Sequence, residues 1–320
     1  MKYFIFLSAF VFCFILSACE EDFNPKSDFR ERYILNLIIR PDTTVQVATL
    51  YRSYTVGGYD PLTNTDDPAI CGADIRIIHD DKVFILTDTL KTRIDSSRYN
   101  TPFRFYYCRN FTPVPNKQIL VRCQLPNGKI LRATTMLPKP LEIESGSDRL
   151  IPVEGKSNFK FSWKKADDGL WYQPKLRLLY KTREGENYIP HTKEIYLMDK
   201  TGNSYGKPYS PSISRNNAIT FEKAALDSAM RSIKNDNPGY TGIYYIYGCS
   251  LEVLIFDKNL SGYYSSIHGY LDNLSVRLDG SDYTNVEGGY GILGSYIKGT
   301  MGAGITEDYI REMGYSVGRK

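Results

Sequence analysis

The clearest chemical motif in the chain is a glycine-rich run near its carboxyl end. Gly289-Tyr290-Gly291-Ile292-Leu293-Gly294 matches the Gly-x-Gly-x-x-Gly fingerprint of dinucleotide-binding loops letter by letter. That fingerprint works only between a strand and the amino end of a helix, whose N–H groups bind the pyrophosphate. The next residues, Ser295 to Gly299, are patterned like a strand, and no parallel β-α-β unit surrounds the run. We therefore expect no cofactor, and interpret Gly288, Gly289, Gly291 and Gly294 as a structural segment in which glycine permits positive φ or close backbone approach.

The histidines and carboxylates form no catalytic pattern. His79, His191 and His268 have no glutamate or second histidine nearby at the spacing of metal ligands. His79 precedes Asp80-Asp81 and could bind a metal, but a solvated turn is the preferred interpretation. Gly-x-Ser-x-Gly, the signature of a nucleophile elbow, is absent from the sequence. Asp167-Asp168-Gly169 indicates a turn, and would serve acid–base catalysis only with a second acid about 5–10 Å away. We expect a protein that is not an enzyme, with a hydrolase using a dispersed acidic site as an alternative.

The amino end of the chain indicates where the protein is located rather than what it does. The run from Tyr3 to Ala18 is almost wholly apolar and ends in small residues, with Lys2 as the single charge before Cys19. A membrane-spanning helix needs about 20 apolar residues, so this shorter run predicts a signal peptide over residues 1–18. Leu16-Ser17-Ala18-Cys19 resembles a bacterial lipobox. The resemblance implies that the Cys19 thiol receives lipid and that two or more acyl chains anchor the mature chain stably.

Three carboxylates follow the predicted anchor. Glu20-Glu21-Asp22 is a solvated run, and residues 19–32 are predicted to form a tether. The run resembles the surface-export signal of Bacteroidota lipoproteins, which implies display at the cell surface of the outer membrane. A plain polar tether and a periplasm-facing position stay open as alternatives.

Composition favours β-structure and argues against nucleic acid as a partner. The chain has 26 tyrosines and 2 tryptophans, and tyrosine, threonine and β-branched residues favour strands. The net charge of +4 is mild and spread along the chain, without the basic stripe of a nucleic-acid-binding surface.

Cysteines outside the cytoplasm can form disulfides. Beyond Cys13 and Cys19 the chain contains Cys71, Cys108, Cys123 and Cys249, which allow three pairings. We favour a Cys108–Cys123 disulfide, because both residues fall on predicted strands of one domain. Cys71 and Cys249 are then two free thiols, the preferred interpretation, or a bridge between domains.

Short alternating runs predict an Ig-like antiparallel sandwich over residues 33–137. Gly72-Ala73-Asp74-Ile75-Arg76-Ile77 is similar to the Gly-Ala-x-Val-x-Ile pattern of transthyretin-like sandwiches, and this resemblance implies a sandwich of that kind. Strands are predicted at 33–39, 44–51, 71–78, 83–86, 102–108, 117–124 and 129–136, with Asn127-Gly128 as a hairpin turn. Leu137-Pro138-Lys139-Pro140 is the predicted linker to a second domain.

The second domain, residues 141–320, is predicted to be a β-rich sandwich with helical insertions. Phe159, Phe161 and Trp163 alternate with polar residues and predict a strand over a core. Further strands are predicted at 171–181, 192–199, 244–256 and 288–305. Helical spacing of apolar residues predicts insertions near 221–234, with Thr220 as the cap, and near 261–274.

The chain resembles the uncharacterised outer-membrane lipoproteins of Bacteroidota that carry a domain of unknown function and are often encoded beside TonB-dependent receptors. The matching features are the lipobox, the early strand pair around Tyr33–Tyr51, Gly72-Ala73-Asp74-Ile75-Arg76-Ile77, and the closing segment Tyr283 to Gly294, with Leu293 where phenylalanine is usual. The resemblance implies no catalytic residues. It implies a non-enzymatic envelope lipoprotein that binds a ligand or assists a TonB-dependent receptor in nutrient uptake, with a structural or adhesive surface protein as the alternative.

Overall fold

The structure is a computed structural model that describes residues 29–58, 60–201, 204–236, 239–268 and 283–318. The predicted signal peptide, Cys19 and residues 19–28 of the predicted tether lie outside the described residues, as do residues 269–274 of the second predicted helix. Within the described ranges the chain is mainly β-sheet and sandwich-like, as predicted.

The first half of the chain forms strands that closely follow the predicted ones. They are β1 (Tyr33–Ile39), β2 (Gln46–Arg52), β3 (Asp74–His79), β4 (Lys82–Lys91), β5 (Phe103–Cys108), β6 (Gln118–Gln124) and β7 (Ile130–Met136). A short 3₁₀ turn, Pro61–Thr63, lies in the loop after β2. Alternate residues of these strands are buried, which is why their period-two pattern could be recognised from the sequence.

These strands form two layers joined by one strand that belongs to both. Strands β1, β2 and β5 lie in one layer, and β3, β6 and β7 lie in the other. The first half of β4 pairs with β3 and its second half pairs with β5, so β4 crosses from layer to layer. The inward side chains of both layers make one hydrophobic core, which includes Leu35, Leu37, Ile75, Val121 and Leu131.

The second half of the chain adds longer strands and the helices. Its elements are β8 (Leu150–Ile151), β9 (Asn158–Ser162), β10 (Tyr172–Glu184), β11 (Asn187–Ile195), β12 (Leu197–Thr201), β13 (Ser204–Tyr209), β14 (Ala218–Glu222), α1 (Lys223–Asp236), β15 (Tyr244–Phe256), α2 (Lys258–His268), β16 (Tyr290–Ile305), α3 (Glu307–Glu312) and β17 (Ser316–Val317). Strands β11, β10, β15 and β16 are neighbours in one sheet. The second half has a hydrophobic core of its own, into which helix α1 packs through Leu226, Met230 and Ile233. Phe159, Phe161 and Trp163 are buried in this second core, as predicted.

Strand β16 is common to both halves of the molecule. Its first residues, Tyr290 to Ser295, pair in parallel with β1, and Tyr296 to Ala303 pair antiparallel with β15. Val286 and Leu293 are buried in the core of the first sandwich. The predicted domain 141–320 therefore contributes a strand to the sandwich of residues 33–137, and that sheet is mixed rather than wholly antiparallel.

Both predicted helices begin at residues other than those predicted. Thr220, the expected cap of the first helix, pairs with Lys160 inside the β14–β9 ladder, so the helix starts only at Lys223. The second helix starts at Lys258 because the Asp257 carboxylate accepts a hydrogen bond from the Leu260 N–H at 2.8 Å, which makes Asp257 its cap.

The disulfide predicted between Cys108 and Cys123 is not formed. The four cysteines among the described residues, Cys71, Cys108, Cys123 and Cys249, are free thiols. Cys108 ends β5, whose neighbours are β2 and β4, whereas Cys123 lies in β6 between β3 and β7, so two strands separate them along the sheet. Burial raises the pKa of Cys123 to about 12, and this thiol is a neutral part of the core.

Candidate functional site

The glycine-rich segment forms the start of β16, where it lies directly against β1. Gly291 has a φ of +108°, and a Cβ atom on it would lie 2.1 Å from the Leu35 carbonyl oxygen. The missing side chain lets the two backbones approach at the point where the parallel pairing begins. Because a strand rather than a helix follows Gly289–Gly294, the segment lacks the helix amino end that a pyrophosphate would need.

Gly294, three residues further along β16, allows helix α2 to pack closely on the outer face of the sheet. A Cβ atom on Gly294 would lie 2.4 Å from the Leu260 Cγ atom. Leu260 is buried with Phe256 and Ile292 in a small apolar cluster that joins α2 to β15 and β16. The helix therefore stands as a wall beside the exposed face of β1 and β2.

The exposed face of β1 and β2 and the helix α2 border an open groove of about 810 Å³, here called the β1–β2 groove. Its volume falls within the range of about 300–1,000 Å³ that is usual for small-molecule sites. The floor is the outer face of β16, β1 and β2, and the wall is α2 with Tyr283 and Thr284. The lining includes Arg32, Ile34, Asn36, Ile38, Arg40, Val45, Val47, Thr49, Ser53, Leu260, Tyr263, Tyr264, Ser266, Tyr283, Thr284, Tyr290, Gly291 and Ile292.

Several polar side chains of the lining are already used inside the protein. The Asn36 Oδ1 atom accepts from the Ile292 N–H at 3.1 Å, and the Thr284 hydroxyl donates to the Gly291 carbonyl at 2.9 Å. The Ser266 hydroxyl donates to the Tyr263 carbonyl at 2.7 Å. These groups stabilise the wall and the floor, and the surface presented to a ligand is mainly aliphatic and aromatic.

Two arginines lie at opposite ends of the floor in different electrostatic surroundings. Arg40 is paired with Asp42 at 3.4 Å, and the hydrogen bond to Asp42 is the main cause that raises the pKa of Arg40. Arg32 donates instead to the Tyr290 hydroxyl at 2.5 Å, and its guanidinium carbon lies 4.7 Å from the centre of the Tyr290 ring. Both of these Arg32 contacts are with a neutral group, so the Arg32 end of the groove retains a positive charge.

The carboxylate of Asp257, at the start of the wall helix α2, is buried. Asp257 is almost fully buried and accepts hydrogen bonds from the Thr135 hydroxyl of β7 and, at 3.3 Å, from the Ser295 hydroxyl of β16. Burial, opposed in part by these hydrogen bonds, raises the pKa of Asp257 to about 6. The same carboxylate caps α2, so one residue ties the helix, the shared strand and the first sandwich together.

The predicted histidine and aspartate candidates lie apart from the groove. His79 was predicted in a solvated turn, but it is buried, with Nδ1 2.9 Å from the Gln118 carbonyl and Nε2 accepting from the Val114 N–H at 2.8 Å. His191 is 2.8 Å from the Thr182 hydroxyl and stacks on Tyr180. Asp167 and Asp168 lie in a surface turn, with Asp167 3.3 Å from the Lys139 amine. The His268 side chain lies outside what the structure describes.

Within residues 29–318, leaving aside the stretches that are not described, no group of three histidine, cysteine, aspartate or glutamate residues could hold a metal ion. None of the described helices combines the length and the apolar content needed to cross a membrane.

The groove residues were missed at the sequence level, although one signal pointed to them. Of the three outward positions of β1, Ile34 and Ile38 are apolar and Asn36 between them is polar, so the outward face of this strand is largely apolar as well. A strand of that kind indicates that something covers its second face. The partners that build the groove, Tyr263 and Tyr290, come from distant parts of the chain.

A scan against protein-family models and a search of curated proteins found no match for this chain.

Proposed function

We propose that the protein is a non-enzymatic lipoprotein of the outer membrane, anchored through Cys19 and exposed at the cell surface, which binds a small ligand in the β1–β2 groove. In this role it is an accessory of a TonB-dependent nutrient receptor. The groove is the observation that carries the proposal, because its volume and mainly apolar lining are typical of a small-molecule site.

The build of the groove also supports a binding function. Its floor strands are paired on both sides, β1 with β16 and β2, and its wall helix is fixed by the buried Asp257 cap. A site supported in this way is already formed before the ligand arrives, which lowers the free-energy cost of binding.

Purification of the tagged full chain from native outer membranes in a mild detergent tests the proposal. We expect a TonB-dependent receptor to be enriched over a control purification from cells with the untagged chain. In cells given labelled palmitate, the wild-type chain should take up the label, and the Cys19→Ser chain, which lacks the lipid-accepting thiol, should not. Repeated absence of any receptor would count against the accessory role, and labelling of Cys19→Ser equal to that of the wild type would count against the anchor.

A further inference from the structure

We infer that the β1–β2 groove binds an aliphatic chain that ends in an acidic group, with the chain along Ile34, Ile38 and Val47 and the acid at Arg32. This inference rests on the proposed binding function of the groove and names its ligand class. The class includes long-chain carboxylates and single-chain lipids with an anionic headgroup.

The first argument is that the floor offers a ligand few unused backbone groups. Strand β1 is paired with β16 on one side and with β2 on the other, so its N–H and C=O groups are engaged in both ladders. A peptide laid along this floor would lose water from its own amides without gaining partners, which costs free energy for each unpaired group. An aliphatic chain carries no such groups.

The second argument concerns the polar side chains of the lining. Asn36, Thr284 and Ser266 are engaged in bonds within the protein. A sugar needs many hydrogen-bonding partners for its hydroxyls, and these three side chains already form hydrogen bonds within the protein. The remaining surface at Ile34, Ile38, Val45, Val47 and Ile292 is suited to methylene groups, each of which gains about 0.8 kcal/mol when it leaves water.

The third argument is the charge at one end of the groove. Nearby Glu31 pairs with Arg52 at 3.9 Å, while Arg32 bonds to the neutral Tyr290 hydroxyl. Ser53 accepts a hydrogen bond from the Arg32 N–H at 2.8 Å, which fixes the start of the floor. An arginine presents a rigid fork of donors that suits a carboxylate or a phosphate. At the other end Asp42 already compensates Arg40, so an anion is attracted to the Arg32 end.

The length of the floor suits a long chain. Arg32 and Arg40 lie eight residues apart on extended backbone, which corresponds to about 26 Å at roughly 3.3 Å per residue. A ligand with its acid at Arg32 can therefore extend past Ile34 and Ile38 within the groove.

Calorimetric titration of the chain from residue 19 onward, with Cys19→Ser so that it carries neither the predicted signal peptide nor lipid, and purified without detergent, tests the inference. The probes are oleate, lysophosphatidylglycerol and oleyl alcohol, each below its critical micelle concentration. We expect at least one anionic probe to bind about tenfold or more tightly than the alcohol, since a charge-assisted bond to arginine is lost with the neutral head. Binding of oleate alone identifies a free carboxylate as the ligand, and binding of the phospholipid alone identifies a lipid headgroup. Failure of both anionic probes to bind would overturn the inference.

Matched variants assign the two parts of the site. Val47→Glu places a carboxylate on the floor and should weaken oleate binding at least tenfold, whereas Val83→Glu, on the outer face of β4, should leave it unchanged. Val47 and Val83 are similarly exposed, at 44% and 54%, so both variants should keep the wild-type melting temperature. Equal binding by the two variants would overturn the position of the chain.

The head position is tested in the same way. Arg32→Gln should remove the preference for oleate over oleyl alcohol, and Arg149→Gln, at an exposed arginine outside the groove lining, should retain it. A preference that survives Arg32→Gln would overturn the role of Arg32. If a receptor co-purifies but neither anionic probe binds, the acyl ligand is refuted and the accessory role is not. If an anionic probe binds but no receptor co-purifies, the accessory role is refuted and the acyl ligand is not.

Discussion

At the scale of single residues, the backbone at Gly291 is the most demanding position in the groove. Its φ of +108° is one that residues with side chains rarely adopt. A side chain there would also collide with the Leu35 carbonyl on the neighbouring strand. The position therefore combines two independent obstacles to substitution.

We predict that Gly291→Val lowers the free energy of unfolding by roughly 3 kcal/mol or more, because strain and collision add to each other. Chemical denaturation measures the change. Gly302→Ala, in the same strand, is the matched control, since an added Cβ atom there meets no atom within 4 Å. An unchanged denaturation midpoint for Gly291→Val would refute the tight pairing of β16 with β1.

The buried carboxylate of Asp257 makes stability depend on pH. Folding raises its pKa to about 6, whereas an exposed aspartate has a pKa of about 3.9. The folded state therefore favours the protonated carboxyl. The contribution of this residue to stability is complete below pH 4 and is lost as the pH rises through 6.

We predict that the free energy of unfolding of the wild type, minus that of Asp257→Asn, falls by roughly 3 kcal/mol between pH 4 and pH 8. Denaturation of both chains at a series of pH values measures it. Asp95→Asn serves as the control, because hydrogen bonds from Ser97 lower the pKa of that exposed carboxyl. The free energy of unfolding of the wild type minus that of Asp95→Asn should therefore not fall as the pH rises. A flat difference for Asp257 would contradict its burial.

At the scale of elements, the local pattern of the sequence was sufficient for most strands. The runs Tyr33–Ile39 and Tyr244–Phe256 have the same bounds in prediction and structure. Alternation of buried and exposed side chains is a property of neighbouring residues, so it can be recognised without knowledge of the partner strand. The glycine segment was likewise interpreted as structural from its own residues.

What the local pattern could not supply is pairing between distant elements. Thr220 has the character of a helix cap, but its pairing with Lys160 in a neighbouring strand keeps it extended. His79 was expected to be exposed beside two aspartates, and it is buried because Gln118 and Val114 supply partners for both ring nitrogens. The groove was missed for the same reason, since its floor and its wall meet only after β16 pairs with β1.

The contact between α2 and β16 can be tested as an element-level interaction. We predict that Gly294→Ala and Leu260→Ala each destabilise the protein, the first by collision and the second by leaving a cavity. Together they should cost less than the sum by about 1 kcal/mol or more, because the new methyl group fills part of the space left by Leu260. A double-mutant cycle in urea measures this coupling. Strict additivity would show that the helix does not pack on Gly294.

At the scale of the whole molecule, β16 joins two hydrophobic cores into one structure. Leu293 belongs to the first core, and Met301 and Ile305, in the same strand, belong to the second. Asp257 strengthens the connection because it directly follows β15 of the second half and bonds to Thr135 of the first sandwich. Unfolding of one core therefore removes a strand from the other.

We predict that both halves unfold in a single transition. Trp163 and Trp171 report on the second half by fluorescence, and a dye on Cys71, the exposed cysteine among the four described thiols, reports on the first. The two urea midpoints should coincide, as a cooperative two-state transition requires. A first-half midpoint clearly separated from the tryptophan midpoint would contradict this coupling, and Gly291→Val is the variant expected to separate them.

The parallel pairing of β1 with β16 also determines when the sheet of the first sandwich can be completed during synthesis. Asn36 and Ile292 are partners that lie 256 residues apart in sequence, so β1 is synthesised long before its neighbour exists. Until Tyr290–Ser295 have been made, the β1 edge that they cover is an open row of backbone donors and acceptors, of the kind that pairs with other strands. Contacts of such long sequence separation also slow folding. The first half of the chain therefore needs protection from aggregation until β16 is available to pair with β1.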